Sequence, residues 1–276
     1  MGRLVEGHWH DEWYDTESTG GAFKREDAGF REQVGEGMRH PPESGRYHLY
    51  VSLACPWAHR TLIMRKLKGL EQHIDVTVSH PHMLEGGWRY DPPEPLYGFA
   101  HHHQLYTRDK PNYTGRVTVP VLWDKQTESI VNNESAEILR IFNSAFNTLT
   151  GNTDDYYPEL LREEIDRINE RVYHDINNGV YKAGFATKQQ AYEKACLALF
   201  AALDWVEELL ATRRYLTGER ITEADWRLFT TLVRFDPVYH GHFKCNIRRI
   251  QDYPHLSGYL RELYQWSGIA ETVSFE

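Results

Sequence analysis

From Tyr47 onward the chain switches between short apolar runs and helical periods. Tyr47-His-Leu-Tyr-Val-Ser-Leu53 predicts a strand, and residues 58–67 predict a helix that opens at Cys55-Pro56. Proline is tolerated in a first helical turn because its missing N–H would sit among amides that have no partner within the helix. Residues 74–79 predict a second short strand. The stretch from His80 to about Pro111 contains Gly86-Gly87-Trp88 and Asp91-Pro-Pro-Glu-Pro95 but no sustained period. It predicts a long loop, a kind of connection that often carries function. Val117-Thr-Val-Pro-Val-Leu-Trp123 is a strand pattern broken by Pro120, which cannot donate to a ladder and so marks an edge, a bulge or a cis bond. A turn over 124–128, a strand at Ile130-Val131 and a helix from Asn133-Glu134-Ser135 through Phe142 complete the order β-α-β, then β-β-α. That is a thioredoxin-like layout.

Beyond about Asp155 the period is helical. Leu160, Leu161, Ile165, Ile168 and Val172 recur at helix spacing, and residues 189–212 carry Leu197, Phe200, Ala201, Leu203, Trp205, Val206 and Leu209. Thr222, followed three residues later by Asp225, has the spacing of a capping box. The expected class is therefore α/β plus all-α. Residues 1–45 form an extension, 46–145 a thioredoxin-like domain, 146–154 a linker and 155–276 an all-helical domain. The extension lacks periodicity, and its Trp9, Trp13, Tyr14, Phe23 and Phe30 are expected to pack on the body, some of them bordering a site.

Charge narrows the function. The 276 residues hold 31 Lys and Arg against 40 Asp and Glu, a net −9, which gives no overall pull on nucleic acid or on an anionic membrane. No apolar run approaches the length of a membrane span, and the first residues lack a secretory signal, so a cytoplasmic protein is expected. Three cysteines with no CxxC spacing point away from a disulfide scaffold and from a Cys₄ zinc site. His80, His82 and His101-His102-His103 lack the spacing of a ligand set, so no metal is expected. Aromatic residues are abundant, with 8 Trp, 17 Tyr and 11 Phe, and rings of this kind serve cores, interfaces and aromatic-ligand sites alike.

Cys55 bears the sharpest chemistry. A thiol at a helix N-terminus meets the positive end of the helix dipole and unpaired amides, which lowers thiol pKa values from about 8.5 into the range of roughly 3.5–7.5 and makes a nucleophile. Cys196 and Cys245 read as small buried hydrophobes, although Lys244 beside Cys245 would favour some reactivity. The second position of a CxxC motif is Ala58, so a resolving thiol has to come from elsewhere, most simply from a small molecule.

Five segments carry a family resemblance: Ala54-Cys-Pro-Trp-Ala-His-Arg60, Gly86-Gly-Trp88, Gly115-Arg-Val-Thr-Val-Pro-Val-Leu-Trp-Asp124, Asn132-Asn-Glu-Ser135 and Asn177-Asn-Gly-Val-Tyr-Lys-Ala-Gly-Phe185. In this order, over nearly the whole chain, they resemble glutathionyl-hydroquinone reductases, the xi class of glutathione transferases. The resemblance implies a helical glutathione-transferase C-terminal domain, glutathione as co-substrate, a glutathionyl-hydroquinone as substrate and a homodimer. It implies Cys55 and Tyr181 as catalytic residues, the thiolate attacking sulfur and the phenol donating a proton. It implies glutathione binding by Trp88, Arg116, Val117, Thr118, Val119, Glu134 and Ser135. Val119, before Pro120, would pair with the cysteinyl part, Glu134 would attract the ammonium and Ser135 would receive the carboxylate. Tyr239 would stabilise the thiolate and border the substrate. Each has a plain structural alternative, as a loop aromatic, a solvated charge, a helix cap or a core tyrosine. Family members usually continue past the stretch matching Gly268 to Phe275 with a His/Tyr/Asn/Pro-rich segment that adds another tyrosine; this sequence stops at Glu276. An omega-like thioltransferase and a non-catalytic binder of hydrophobic ligands are the competing readings.

Overall fold

The computed structural model describes residues 2–275 and divides into two compact units. The first contains the chain up to Trp13, Glu26–Asp154 and the segment from Glu271. Its elements are β1 (Arg3–Val5), β2 (His8–His10), β3 (Tyr47–Val51), α1 (Pro56–Leu67), β4 (Asp75–Val78), α2 (His103–Asp109), β5 (Gly115–Arg116), β6 (Val121–Asp124), β7 (Ser129–Asn132), α3 (Ser135–Ser144) and α4 (Asn147–Thr150). The main sheet runs β4-β3-β6-β7, with β3 parallel to β4 and the β3–β6 and β6–β7 pairs antiparallel. All five residues of β3 are buried, which explains why its sequence is an apolar run and not a clean alternation.

α1 and α3 pack against one another, and the elements follow the expected β-α-β, β-β-α order. The long loop departs from expectation by closing with α2, a helix of seven residues whose single buried pair Leu105-Tyr106 is too short to register as a period. Leu96, Tyr97 and Phe99 of the loop, with Tyr90, Leu105 and Tyr106, build an apolar cluster with Tyr50, Val121, Trp123 and Ile130 of the sheet, joined by Leu4, Trp9 and Phe30 from the first 45 residues. Much of the aromatic surplus is spent here. Wide rings allow an irregular loop to bury area that a helix would otherwise cover.

The N-terminal hairpin β1–β2 adds to β5 in a second antiparallel sheet, ordered β2-β1-β5, with Arg3 opposite Arg116. Its turn places Glu6 and Gly7 at φ of 49° and 80°. Gly7 is required there, because a Cβ would stand 2.0 Å from the carbonyl oxygen of Pro111. Further along, His40 sets its two ring nitrogens 2.7 Å from carboxylate oxygens of Asp124 and Glu32. Arg46 donates from Nε at 3.0 and 2.9 Å and from Nη2 at 2.6 Å to the same Asp124, which is wholly buried. Burial raises the Asp124 carboxyl, but the bonds from Arg46, His40 and the amides of Gln126 and Thr127 outweigh it and hold the group at about 2.

The second unit consists of Tyr14–Arg25 and Asp155–Ala270. It contains α5 (Arg162–Arg171), which continues as wider π-helical turns over Val172–Asn177, then α6 (Gly179–Gly184), α7 (Gln189–Leu210), α8 (Glu223–Arg234) with π-helical turns over Phe235–Tyr239, α9 (His240–His242) and α10 (Pro254–Gln265). Every residue of α8 is buried. At its start Asp225 accepts from Thr222 N at 2.8 Å, Leu216 N at 3.0 Å and the Tyr259 hydroxyl at 2.8 Å, so the reciprocal half of the capping box is made. Leu160 and Leu197 do not face the core as their spacing suggested. Leu160 lies in a short turn ahead of α5 and is 98% exposed, and Leu197 is on the outer face of α7. Among the described residues no helix is long and apolar enough to cross a membrane.

Candidate active site

Cys55 caps α1. Its backbone is extended (φ −87°, ψ 116°), its N–H donates to Ser52 O at 3.1 Å, and its carbonyl accepts the first helical bond from His59 N at 3.0 Å, with Pro56 in the first turn. The thiol is nearly buried and lies 3.6 Å from Val119 O, to which the S–H donates. The Val119–Pro120 peptide is cis. Two residues that are distant in sequence, both singled out from it, thus meet at the sulfur.

The segment Val117-Thr118-Val119 is held from behind. The Tyr106 hydroxyl donates to Thr118 O at 2.9 Å and accepts from Thr118 N at 3.2 Å and Asn133 Nδ2 at 3.1 Å. His102 Nε2 lies 3.0 Å from the same Thr118 oxygen, and its Nδ1 meets the Tyr90 hydroxyl. Burial pushes the His102 imidazole down to about 4, against the smaller upward pull of the Thr118 bond. The ring is therefore neutral, donating from Nε2 and accepting from Tyr90. Of the histidine triplet, the middle member is a brace, and His101 and His103 stack on one another at 5.3 Å. Replacing Tyr106 by Phe leaves Thr118 N and Asn133 Nδ2 without their acceptor inside the core. The expected loss of stability is about 1–3 kcal/mol, read as a lower urea midpoint at unchanged slope.

Glu134 caps α3, accepting from Ala136 N at 3.0 Å and from the Ser135 hydroxyl at 3.4 Å. The buried Arg60, one turn beyond Cys55 on α1, donates from Nη1 to Ser135 Oγ at 3.3 Å and stacks on Trp57. One helix thus carries both the thiol and a cation that reaches the start of α3. The two preceding asparagines bind the N-terminal segment: Asn132 Nδ2 donates to Glu32 O at 3.0 Å, and Phe30 N donates to Asn133 Oδ1 at 3.1 Å.

Trp88 is mostly buried, and its carbonyl accepts from His102 N at 2.8 Å. Of the glycines before it, Gly87 lies under Trp9, whose ring would be 2.7 Å from a Cβ there, and Gly86 lies against the His101 ring, also 2.7 Å from such a Cβ. Arg116 donates to Glu12 O at 2.8 Å, Trp13 O at 3.2 Å and Gly2 O at 3.4 Å, with Glu26 3.7 Å from its Nε. Its guanidinium fastens the N-terminal segment and is not a solvated strand charge.

In the helical unit Tyr181, on α6, and Tyr239 meet with ring centroids 6.1 Å apart, and both pack against Phe243, at 5.4 and 5.3 Å. Phe185 adds an edge to Tyr181 at 5.6 Å. Cys245 is pushed up to about 12 by burial and Cys196 is also raised, so Lys244 does not activate its neighbour and neither thiol is a nucleophile at neutral pH. Tyr106, His102, Asn133 and Arg60 went unassigned in the sequence. The signals that pointed near them were the histidine triplet, weighed as a metal set and set aside, and the paired asparagines.

This fold, with a cysteine capping the first helix opposite a cis-proline and a helical unit following, is that of a glutathione transferase. Residues 54–145 match the family model for the glutathione S-transferase N-terminal domain and residues 189–262 the model for its C-terminal domain. The whole chain is 56% identical to glutathionyl-hydroquinone reductase YqjG of Escherichia coli (strain K12), covering 88% of that protein. The glutathione-bound structure of YqjG aligns over 99% of this chain and 88% of its own, with a TM-score of 0.89 and 51% identity in the structural alignment. The Xi class transferase from Natrialba magadii aligns over 99% and 86%, with a TM-score of 0.94 and 48% identity. The chain belongs to the glutathionyl-hydroquinone reductases, the Xi class of glutathione transferases.

Proposed function

We propose that the protein removes glutathione reductively from glutathionyl-hydroquinones, giving the hydroquinone and glutathione disulfide. The observation that supports this most directly is the seat of Cys55, a nucleophile type at a helix start with its sulfur against the carbonyl that precedes cis-Pro120, in a chain of this family. Glutathione would lie along Val117, Thr118 and Val119, its cysteinyl part pairing with the backbone as an added strand. Glu134 would attract its ammonium, while Ser135 and the first amides of α3 would receive its carboxylate. Trp88 and Arg116 would border it.

The substrate tautomerises to a ketone as Tyr181 gives a proton to the ring carbon that bears sulfur and the adjacent hydroxyl loses its proton to solvent. The Cys55 thiolate then attacks that sulfur: an S–S bond forms, the C–S bond breaks, its electron pair returns to the ring, the ketone oxygen takes a proton from solvent and the hydroquinone leaves. Tyr181 regains its proton from solvent. A second glutathione thiolate attacks the glutathionyl sulfur of the mixed disulfide, releasing glutathione disulfide and the Cys55 thiolate. Ala58 supplies no second thiol, so the reductant has to be external. Tyr239, with its ring beside that of Tyr181, would hold the flat substrate.

Purified protein is expected to convert glutathionyl-menadiol to menadiol with stoichiometric glutathione disulfide; no turnover of such conjugates would overturn the reading. Tyr181→Phe is expected to slow this reaction about a hundredfold or more, the usual contribution of a positioned general acid, and to leave reduction of a simple glutathione mixed disulfide nearly unchanged. Equal losses on both substrates would instead mark Tyr181 as structural. A faster reaction on the mixed disulfide in the unaltered enzyme would favour an omega-like thioltransferase. A homodimer, expected from the resemblance, is read by sedimentation velocity.

A further inference from the structure

We propose that Arg25 is a positioning residue for Tyr181: its guanidinium, held on the face of the ring, favours release of the phenolic proton. The inference rests on the role given to Tyr181 above. The Arg25 Cζ lies 4.9 Å from the Tyr181 ring centroid and 5.3 Å from that of Phe23, within the range in which a cation is attracted to a π-face. Its Nε donates to Asn178 Oδ1 at 3.0 Å, and Asn178 is buried at the start of α6, three residues before Tyr181. The guanidinium is therefore tied at one edge to the helix that carries the phenol.

The segment that delivers Arg25 is built onto the same helix end. Tyr14 meets Phe23 edge-on at 4.7 Å, and Phe23 meets Phe185 edge-on at 5.2 Å. Thr187 N donates to Gly21 O at 3.0 Å, and the Thr187 hydroxyl reaches the Thr16 hydroxyl at 3.1 Å. Gly21 sits at φ +90° with its Cα so close to Lys188 that a Cβ would stand 2.6 Å from the lysine Cγ, so the approach needs glycine. These are the contacts of a placed segment, and Arg25 is the charged group it sets on the Tyr181 ring.

A neutral phenol gains a modest cation–π attraction from this arrangement, and a phenolate, whose negative charge is shared between its oxygen and the ring, gains the attraction of a full opposite charge as well. The difference favours proton release, as a general acid requires. Lys182, its neighbour on α6, turns its ammonium to His174 O at 2.8 Å. Tyr239 is a second phenol, Phe185 and Phe243 are uncharged, and the His242 ring meets Phe243 at a tilt, 5.4 Å between centroids.

The test compares Arg25→Gln and Arg25→Lys, each with and without Tyr181→Phe. Ionisation of Tyr181 is followed by the ultraviolet absorbance of tyrosinate, taken as the difference between each protein and its Tyr181→Phe counterpart. Arg25→Gln is expected to move that ionisation up by about one pH unit, and Arg25→Lys, which keeps the charge, by less than half of that. At neutral pH, turnover of glutathionyl-menadiol is expected to fall about five- to tenfold in Arg25→Gln, with KM for glutathione unchanged and no further loss when the change is added to Tyr181→Phe. An unmoved Tyr181 ionisation in Arg25→Gln overturns the proposal, and so does an equal loss of turnover with and without Tyr181. If Tyr181→Phe alone left turnover intact, the assignment of Tyr181 would fall, while the titration would still report what Arg25 does to the phenol.

Discussion

Cys55→Ala is expected to lower turnover of glutathionyl-menadiol by about a thousandfold or more, because the variant lacks the sulfur that must receive the glutathionyl group and no other cysteine replaces it. Cys196 and Cys245 have thiols raised by burial, so neither is available for a detour. Methyl for thiol is a small loss of volume at the first cap of α1, and the Cys55 backbone bonds to Ser52 and His59 do not involve the side chain. The fold is therefore expected to persist, and the melting temperature of the variant separates lost chemistry from lost structure. Mass spectrometry adds a second readout: the unaltered enzyme, given substrate and too little glutathione to resolve it, should carry one glutathione on Cys55. Full activity in Cys55→Ala would remove the covalent route altogether.

The largest expected effect on stability lies away from the thiol, at Asp124. Asp124→Asn keeps the shape and removes the charge that faces Arg46 and His40, leaving the buried guanidinium, among carboxylates, only its 3.1 Å contact with the more exposed Glu43. Breaking a buried pair from one side costs about 3–5 kcal/mol, and the remaining contact with Glu43 sets the expected loss at the lower end of that range. Urea unfolding at neutral pH measures it directly. The effect carries a pH signature. Asp124 is held at about 2 in the fold against an ordinary 3.8, so its contribution is complete above the ordinary value and is lost as pH falls through about 2. The gap in stability between the two proteins should therefore narrow as the solution is acidified from 5 towards 2. A gap of constant width would mean that the charge is not what the cluster uses.

What was legible in the sequence was local. Cys55-Pro56 announced a helix start because a proline in the first turn and an extended cap are short-range facts, and Thr222 with Asp225 did the same for α8. The strand after Pro120 and the helix after Glu134 followed from patterns of a few residues, whereas Val117–Val119, expected as strand, lies between β5 and β6. The braces behind the site were not legible, because they join positions with no common period: Tyr106 to Thr118, His102 to the same carbonyl, Asn133 to Phe30. The stretch that supplies Tyr106 and His102 showed only as a long loop, since its rings are spaced by the surface they cover and not by a backbone repeat. Leu160 and Leu197 erred in the other direction. Spacing assigned them to a buried stripe, and only the packing of the helices reveals that one precedes its helix and the other lies on the outer face.

The first 45 residues are shared between the units, since Tyr14–Arg25 belongs with the helices and the residues on either side of it with the sheet. Neither unit is therefore one uninterrupted piece of chain, and the polypeptide passes from one to the other and back before the first strand of the main sheet begins. A fragment cut at the apparent junction near Asp154 would inherit α5 to α10 but not Tyr14, Phe23 or Arg25. It would leave Phe185 and one face of Tyr181 bare of the side chains that cover them here. Grafting or swapping the helical half between relatives therefore has to move a dozen residues from the far end of the gene as well.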